Sequence, residues 1–218
     1  MKKTTRNEED YLKTMLHMIF AGESVATNSL AARLGISPPS VTSMVKKLMG
    51  KGFITYKKYG SISFTALGEK LALSLTRRHR LWEVFLFEKL NFSWDEVHEV
   101  AEELEHIRSE KLMNCLDEFL GFPKFDPHGD RIPSAELLFP LANGTALTDL
   151  PFGKSYKFSA VRDDSSEFLK DLNKLGLKLG MELKVISAKN NNINLEGSNF
   201  LKVSLPIKLA RKVFVTSS

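Results

Sequence analysis

The sequence predicts a mainly α-helical protein with small β parts, in which two helical regions precede a β-rich one. Apolar residues recur at helical spacing through much of the first 120 residues, for example at Leu12, Met15, Leu16 and Ile19. The turn-rich segment "FPKFDPHGDRIP" ends the helical region. From about Lys154, short strand-like runs such as "YKFSAV" and "ELKVIS" replace the helical pattern and predict a small β-barrel.

The composition and charge of the chain limit the kinds of protein that it can be. The 218 residues are enough for two or three small domains, and a net charge of +5 permits a nucleic-acid partner without requiring one. The single cysteine, Cys115, is typical of a reducing cytoplasm, and we expect it to be buried in a helix. No signal peptide or membrane span is evident. We therefore expect a cytoplasmic protein without a membrane partner.

The first third has the element order of a winged helix-turn-helix domain. A predicted helix over 7–21 is followed by the short helix "NSLAARLG" and then by "SPPSVTSMVKKLMGKG". In the last of these, Ser37 is the expected N-cap and Pro38 the first helical residue. Two strands around a Lys-Tyr-Gly turn complete the pattern in "FITYKKYGSISFT". In such a unit the third helix enters the major groove of DNA.

Small hydroxyl side chains and lysines cluster on this third helix and the following strands. Small residues at the helix start allow close approach to base edges, proline can contact a thymine methyl group, and lysines neutralise phosphates. An interaction domain whose lysines are merely solvated is the alternative. The predicted DNA-binding residues are Ser37, Pro39, Ser40, Thr42, Ser43, Lys46, Lys47, Lys57 and Lys58.

The segment "VHEVAEELEH" (97–106) places two histidines and two glutamates beside an apolar stripe if it forms a helix. One interpretation is a solvated charged flank, and the other is a metal site at the edge of a core. The apolar stripe comprises Val97, Val100, Ala101, Leu104 and Ile107, and the polar one comprises His98, Glu102, Glu105 and His106.

A second polar stripe favours the metal interpretation. His79 and Glu83 are spaced i, i+4 in "RRHRLWEVFL", and Asp10 lies near the start of the first helix. Three of the five histidines fall in the two stripes. Carboxylates with imidazoles suit ions such as Mn²⁺ and Fe²⁺. A di-metal carboxylate enzyme is the alternative, although only Glu103 and His106 have the Glu-x-x-His spacing of such sites.

Taken together, these segments resemble the diphtheria toxin repressor family of metal-dependent transcriptional repressors. The resemblance rests on "EEDYLKTM", "ARLGISPPSVTSMVKKLMGKGFI", "RRHRLWE", "VHEVAEELEH" and "DPHGDRIP", and it covers nearly the whole chain. "LPFGKSYKF" and "LGLKLGMELKVI" are similar to the family's SH3-like domain. The implied organisation is a winged-helix domain (1–72), a helical metal-binding and dimerisation domain (73–140), a linker (141–153) and an SH3-like domain (154–218).

The resemblance implies a homodimeric repressor that binds a palindromic operator in double-stranded DNA and regulates metal-uptake genes, with metal as corepressor. It implies neither an enzyme nor a small organic substrate. The apolar excess on residues 81–92 and 112–120 fits a dimer interface. A winged-helix scaffold that ignores metal is a further alternative.

The carboxylates of Asp10 and Glu102 resemble the manganese-responsive branch, so Mn²⁺ is the expected ion and Fe²⁺ the second choice. Lys13 departs from the two-domain manganese sensors, which carry there a glutamate that serves a binuclear cluster, because lysine cannot ligate. The primary site implied by the resemblance comprises Asp10, His79, Glu102, Glu105 and His106.

A second metal site per chain is implied by the three-domain members. His98 belongs to this site or to the first, and the stretch "DPHGD" can equally be an ordinary turn. Asp164 and Glu167 are rivals of Asp163 as the ligand from the third domain. The implied ligands are Glu83, Asp126, His128 and Asp163.

Overall fold

The first domain is a helical unit with a two-stranded ribbon. The computed structural model describes residues 4–57, 61–139, 144–163, 165–197 and 202–217. Helix α1 begins after Thr5, whose hydroxyl accepts a hydrogen bond from Glu8 N while Glu8 Oε2 accepts one from Thr5 N. The elements are α1 (Arg6–Phe20), α2 (Thr27–Leu34), α3 (Pro38–Gly50), β1 (Ile54–Lys57) and β2 (Ser61–Phe64).

The helices of the first third are confirmed, and their buried residues form one core with the start of the next helix. Of the apolar residues expected on the first helix, Ile19 is an exception, because it is 42% exposed. Ser37 precedes α3 as predicted, but its hydroxyl bonds to Ser40 Oγ (2.9 Å) rather than to the helix backbone. Strands β1 and β2 pair antiparallel. The buried residues of this core include Leu12, Leu16, Leu30, Val41, Val45, Leu48 and Leu75.

The second domain is built on one long helix. Helix α4 (Ala66–Leu90) crosses from the first core into the second, which includes Leu81, Val97 and Met113. Ser93 and Glu96 have capping-box spacing in the sequence, but the box forms only in part. Glu96 Oε2 accepts from Ser93 N and Oγ, whereas α5 begins one residue after Glu96 without a side-chain cap hydrogen bond. The remaining helices are α5 (Val97–Leu104) and α6 (Glu110–Phe119).

Two expectations for this region are wrong. Helix α5 ends at Leu104, so Glu105 and His106 lie in a turn, and Ile107 is 38% exposed instead of packing on the core. Cys115 is exposed because the buried stripe of α6 runs through Met113 and Leu116, and Cys115 falls beside it.

The third domain is a six-stranded antiparallel sheet with strand order β3-β8-β4-β5-β6-β7. Its core draws on the sheet and on two helices, with Phe158, Leu169 and Leu205 fully buried. The elements are β3 (Thr145–Ala146), a 3-10 turn (Leu147–Asp149), β4 (Ser155–Val161), α7 (Ser166–Lys174), β5 (Glu182–Lys189), β6 (Asn192–Gly197), β7 (Lys202–Pro206), α8 (Ile207–Ala210) and β8 (Val213–Ser217).

Part of the predicted linker packs with the third domain. Strand β3 pairs with β8, and Leu147 is buried in the third core. The "DPHGD" turn lies between the second and third domains, because Val161 N donates to His128 O (2.9 Å). Gly129 has φ +83° and approaches the β4 backbone so closely that a Cβ atom would lie 2.2 Å from Ser159 O.

Candidate metal centre

The structure brings eight of the ten predicted metal ligands together around α4. His79 and Glu83 lie one turn apart on α4, and the other members come from α1, α5, the turn after α5 and the "DPHGD" turn. Among the described residues, three groups have ligand atoms within 4.8 Å of one another: Asp10–Glu105–His106, His79–Glu83–His98 and Glu83–Asp126–His128.

The first group joins the first domain to the second. His106 Nε2 lies 3.4 Å from Asp10 Oδ1 and 3.9 Å from Glu105 Oε1. Glu105 Oε1 is buried and has no hydrogen-bond partner among the described residues. Burial raises the pKa of Asp10. A buried carboxylate oxygen without a donor, next to an imidazole and a second carboxylate, is what a divalent cation would satisfy.

Glu9, which the sequence analysis missed, orients His106. Its Oε2 accepts a hydrogen bond from His106 Nδ1 (2.8 Å), and its Oε1 accepts from Thr4 Oγ1 (2.6 Å) and Arg108 Nη2 (2.8 Å). This leaves His106 Nε2 facing Asp10. Carboxylates commonly hold a metal-binding histidine in this way. The only indication of this role in the sequence is that Glu9 directly precedes the predicted ligand Asp10 in "NEED".

The second group surrounds His79. Its Nε2 lies 3.0 Å from Glu83 Oε1 and 3.2 Å from His98 Nδ1, and its Nδ1 donates to Glu105 Oε2 (2.6 Å). Burial lowers the pKa of His79, but the charge of Glu83 and the hydrogen bonds to Glu105 and Glu83 outweigh it and raise the pKa to about 9. His79 therefore connects the first group to the second, and a cation there would replace its proton.

The third group is fully buried and shares Glu83 with the second. His128 Nδ1 lies 3.7 Å from Glu83 Oε1 and 3.9 Å from Asp126 Oδ1. His128 Nε2 donates to Trp94 O (2.7 Å), so a neutral ring presents its lone pair at Nδ1. Burial and the neighbouring Glu83 raise the pKa of Asp126 to about 8. The "DPHGD" stretch is therefore a turn that also carries ligand-type side chains.

Two predicted ligands pair instead with lysines. Glu102 Oε1 accepts from Lys13 Nζ (2.9 Å), and the same ammonium lies 2.8 Å from Glu105 Oε2. Asp163 pairs with Lys212 and accepts from Ser165 N (3.0 Å). Neither carboxylate belongs to the three groups found in the described parts of the chain. Of the rivals, Glu167 is exposed and residue 164 is outside the described ranges.

The predicted DNA-contacting residues on α3 share one exposed surface. Lys47 Nζ also lies 3.1 Å from Glu8 Oε1, a contact that the sequence did not reveal. Lys57 ends β1, and Lys58 lies outside the described residues. The exposed set comprises Ser37, Pro39, Ser40, Thr42, Ser43, Lys46 and Lys47.

No helix in the described ranges is both long and apolar enough to cross a membrane. Cys115 lies outside the three groups, so their donors are carboxylates and imidazoles. This donor chemistry fits Mn²⁺ and Fe²⁺, which accept oxygen and nitrogen ligands.

Three family models match successive parts of the chain. Residues 3–62 match "Iron dependent repressor, N-terminal DNA binding domain", residues 65–134 match "Iron dependent repressor, metal binding and dimerisation domain", and residues 145–217 match "FeoA domain". The order of the three models is the order of the three domains, although the start of α4 (Leu71, Ala72 and Leu75) packs in the first core.

Individual relatives indicate the same family as these models. The chain is 30% identical to the iron-dependent repressor IdeR of Mycobacterium bovis over 160 residues, which are 70% of each chain. It is 27% identical over 197 residues to the diphtheria toxin repressor of Corynebacterium glutamicum, covering 86% of each. A solved manganese-dependent transcriptional repressor in complex with manganese matches with a TM-score of 0.85 and 32% identity, covering 96% of this chain and 99% of that one. The chain therefore belongs to the iron-dependent repressor family of transcriptional regulators, which includes the diphtheria toxin repressors.

Proposed function

We propose that this chain represses metal-uptake genes with Mn²⁺ as its preferred corepressor and Fe²⁺ as the second choice. The observation that carries the proposal is the Asp10–Glu105–His106 group, because Asp10 lies on α1 of the first domain and the other two lie in a turn of the second. A ligand shifts a conformational equilibrium by its differential affinity for the two states. A group with ligands on two domains meets that condition, because an ion contacts all of its ligands only when the two domains are aligned.

The ion would supply a positive charge that holds Asp10 against Glu105 and His106. The chain's own residues prepare this group. Glu9 holds His106 so that Nε2 faces Asp10, and α1 carries Asp10 to within 3.4 Å of that nitrogen. Glu102 is the further carboxylate that we expect to join after leaving Lys13.

We propose a second metal site around Glu83. Because one carboxylate serves both the His79–His98 pair and the Asp126–His128 pair, we expect one ion rather than two at this place. Apart from His98, whose side chain is 28% exposed, the members are buried, and they lie beside the contact between His128 O and Val161 N of the third domain. Asp163 would join this site by exchanging Lys212 for the ion. With the first group, this gives two ions per chain.

We propose that α3 reads a palindromic operator from a homodimer. The exposed hydroxyl and lysine side chains of α3 support the DNA surface. Large apolar side chains remain exposed on α4 and α6, and a second copy would cover them by two-fold symmetry. They are Phe87, Leu90, Leu112 and Phe119.

The enzyme alternative is not supported, because the family to which the chain belongs consists of transcriptional repressors. An experiment distinguishes a metal sensor from a winged-helix scaffold that does not respond to metal. Such a scaffold would bind DNA equally well with and without chelator.

The test is binding to duplexes from upstream of the chain's own gene and of neighbouring uptake genes. Binding is measured at fixed salt with chelator, Mn²⁺, Zn²⁺ and, without oxygen, Fe²⁺. We expect tight binding with Mn²⁺ that chelator reverses, and footprints on two half-sites about one helical turn apart or a multiple of it. Binding that is indifferent to metal would refute the proposal. Stronger activation by Fe²⁺ at equal free concentration would correct the choice of ion.

A further inference from the structure

Glu8 links the candidate metal centre to the helix that we place on DNA. Three consecutive residues near the start of α1 face different parts of the molecule. Glu9 and Asp10 contact the turn after α5, at His106. Glu8 points the other way, toward α3 and the residue that follows it.

The carboxylate of Glu8 is completely buried, yet it pairs with two lysines that reach solvent. Lys51 Nζ lies 2.7 Å from Oε1 and 2.8 Å from Oε2, and Lys47 Nζ lies 3.1 Å from Oε1. The Lys47 side chain is 50% exposed and the Lys51 side chain 27%. Oε2 also accepts the hydrogen bond from Thr5 N that caps α1. One buried charge therefore ties the start of α1 to the C-terminal end of α3.

The other side of the same turn is tied to the second domain. Glu9 accepts hydrogen bonds from Arg108 and His106, and Arg6 Nη1 lies 3.0 Å from Glu103 Oε2. A capped helical turn is stiff, since its backbone hydrogen bonds hold neighbouring residues at about 100° to one another. A shift that brings Asp10 toward His106 therefore also moves the Glu8 carboxylate.

We propose that Glu8 is a positioning residue that transmits occupancy of the Asp10–Glu105–His106 group to α3 through Lys47 and Lys51. This rests on the proposed function and names how that site is coupled to DNA. Glu8 acts in two ways. It fixes the end of α3 relative to the first turn of α1, and it competes with phosphate for Lys47, which lowers binding to DNA when the domains are not aligned.

The test compares Glu8→Gln with wild type. Glutamine keeps an oxygen for Thr5 N but removes the charge that holds the lysines. Operator Kd is measured with chelator and with Mn²⁺ at one ionic strength, and Mn²⁺ affinity is measured without DNA by calorimetry. We expect the ratio of the two Kd values to fall at least tenfold, while Mn²⁺ affinity without DNA stays within threefold of wild type. The matched control is Glu23→Gln, which removes an exposed carboxylate paired with Arg33 (3.6 Å) in the same domain and should leave the ratio within twofold.

A ratio in Glu8→Gln equal to that of wild type would overturn the proposal, including the case in which both affinities drop together, as a purely structural role requires. If this variant does not fold, Lys51→Met decides, because it removes the partner without changing α1 and should lower the ratio in the same way. Failure of the proposed function has a different signature: wild type itself would show a ratio near one, and the relay would then have nothing to transmit.

Discussion

The ammonium of Lys13 lies 2.8 Å from Oε2 of Glu105, and both side chains are buried. Burial lowers the pKa of Lys13, but the charges of Glu105 and Glu102 raise it above its ordinary value. Lys13 therefore places a positive charge beside the ligand atoms of the Asp10–Glu105–His106 group. Positive charge at this place repels a second divalent ion, so we expect a single ion in the Asp10–Glu105–His106 group.

Replacing Lys13 by methionine should destabilise the metal-free protein and increase the stabilisation by Mn²⁺. Removing one partner of a buried ion pair costs about 3–5 kcal/mol when the other charge is left unpaired. The cost here should be lower, because Glu105 Oε2 keeps its hydrogen bond from His79 Nδ1 and the Glu102 side chain is half exposed. Mn²⁺ would neutralise the carboxylate charge that remains. Urea unfolding with chelator and with Mn²⁺ measures both effects. Lys174→Met is the control, since its pair with Asp171 is exposed and should change stability by less than about 1 kcal/mol. An unchanged response to Mn²⁺ would contradict the assigned position of the ion.

Glu105→Ala should abolish metal-dependent operator binding while the fold is retained with reduced stability. Glu105 supplies the buried Oε1 atom of the first group, which has no hydrogen-bond partner in the described ranges. Gel-shift titrations with Mn²⁺ report the response, and circular dichroism reports the fold. A folded variant that still responds to Mn²⁺ as wild type does would remove Glu105 from the primary site.

Glu9→Gln should weaken Mn²⁺ binding by about 10–100-fold, the usual effect of losing the partner that orients a ligating histidine. The reason is the 2.8 Å hydrogen bond from His106 Nδ1 to Glu9 Oε2. Isothermal calorimetry measures the affinity. Glu103→Gln removes a nearby exposed carboxylate that pairs with Arg6 and should leave affinity unchanged. Equal losses in the two variants would indicate a general charge effect and not orientation of His106.

Metal binding at the Glu83 site should release protons at neutral pH. The pKa of His79 is raised to about 9 and that of Asp126 to about 8, so both groups are protonated at pH 7 before the ion arrives. The ion competes with these protons, so its affinity should increase as pH rises from 6 to 9. Calorimetry in buffers of different ionisation enthalpy counts the protons. Binding enthalpies that do not depend on the buffer would show that the site binds metal without losing protons, contrary to this assignment.

Ser40→Glu should prevent operator binding and leave Mn²⁺ affinity intact. Ser40 is exposed near the start of α3, where a carboxylate would repel phosphates and occlude base edges. Fluorescence anisotropy with labelled operator measures the loss. Ser204→Glu on β7 introduces the same charge at an exposed position of the third domain. The placement of the recognition helix fails if Ser40→Glu binds as tightly as that control.

The helices of the first two domains were predictable because their periodic apolar residues are local signals. The helix predicted over 7–21 occurs as Arg6–Phe20, and the helical spacing of His79 and Glu83 is that of α4 (Ala66–Leu90). The end of α5 was not predictable from periodicity. After Leu104 the chain turns toward the N-cap of α6 at Ser109, and Ile107 N donates to Leu104 O. The polar stripe predicted on one helix is therefore divided: His98 belongs to the His79–Glu83 group, and Glu105 and His106 belong to the Asp10 group.

The sequence by itself determined the order of the domains and the kinds of metal-binding side chain, because residue type and helical spacing are properties of short segments. The tertiary structure alone decided which carboxylate faces which cation. Lys13 forms an ion pair with Glu102, Lys212 forms one with Asp163, and Glu83 belongs to two of the ligand groups. Lys13 and Glu102 are 89 positions apart in the chain, and Lys212 and Asp163 are 49 apart. These pairings depend on how α1, α4 and the third domain pack, and no local pattern encodes a contact between distant segments.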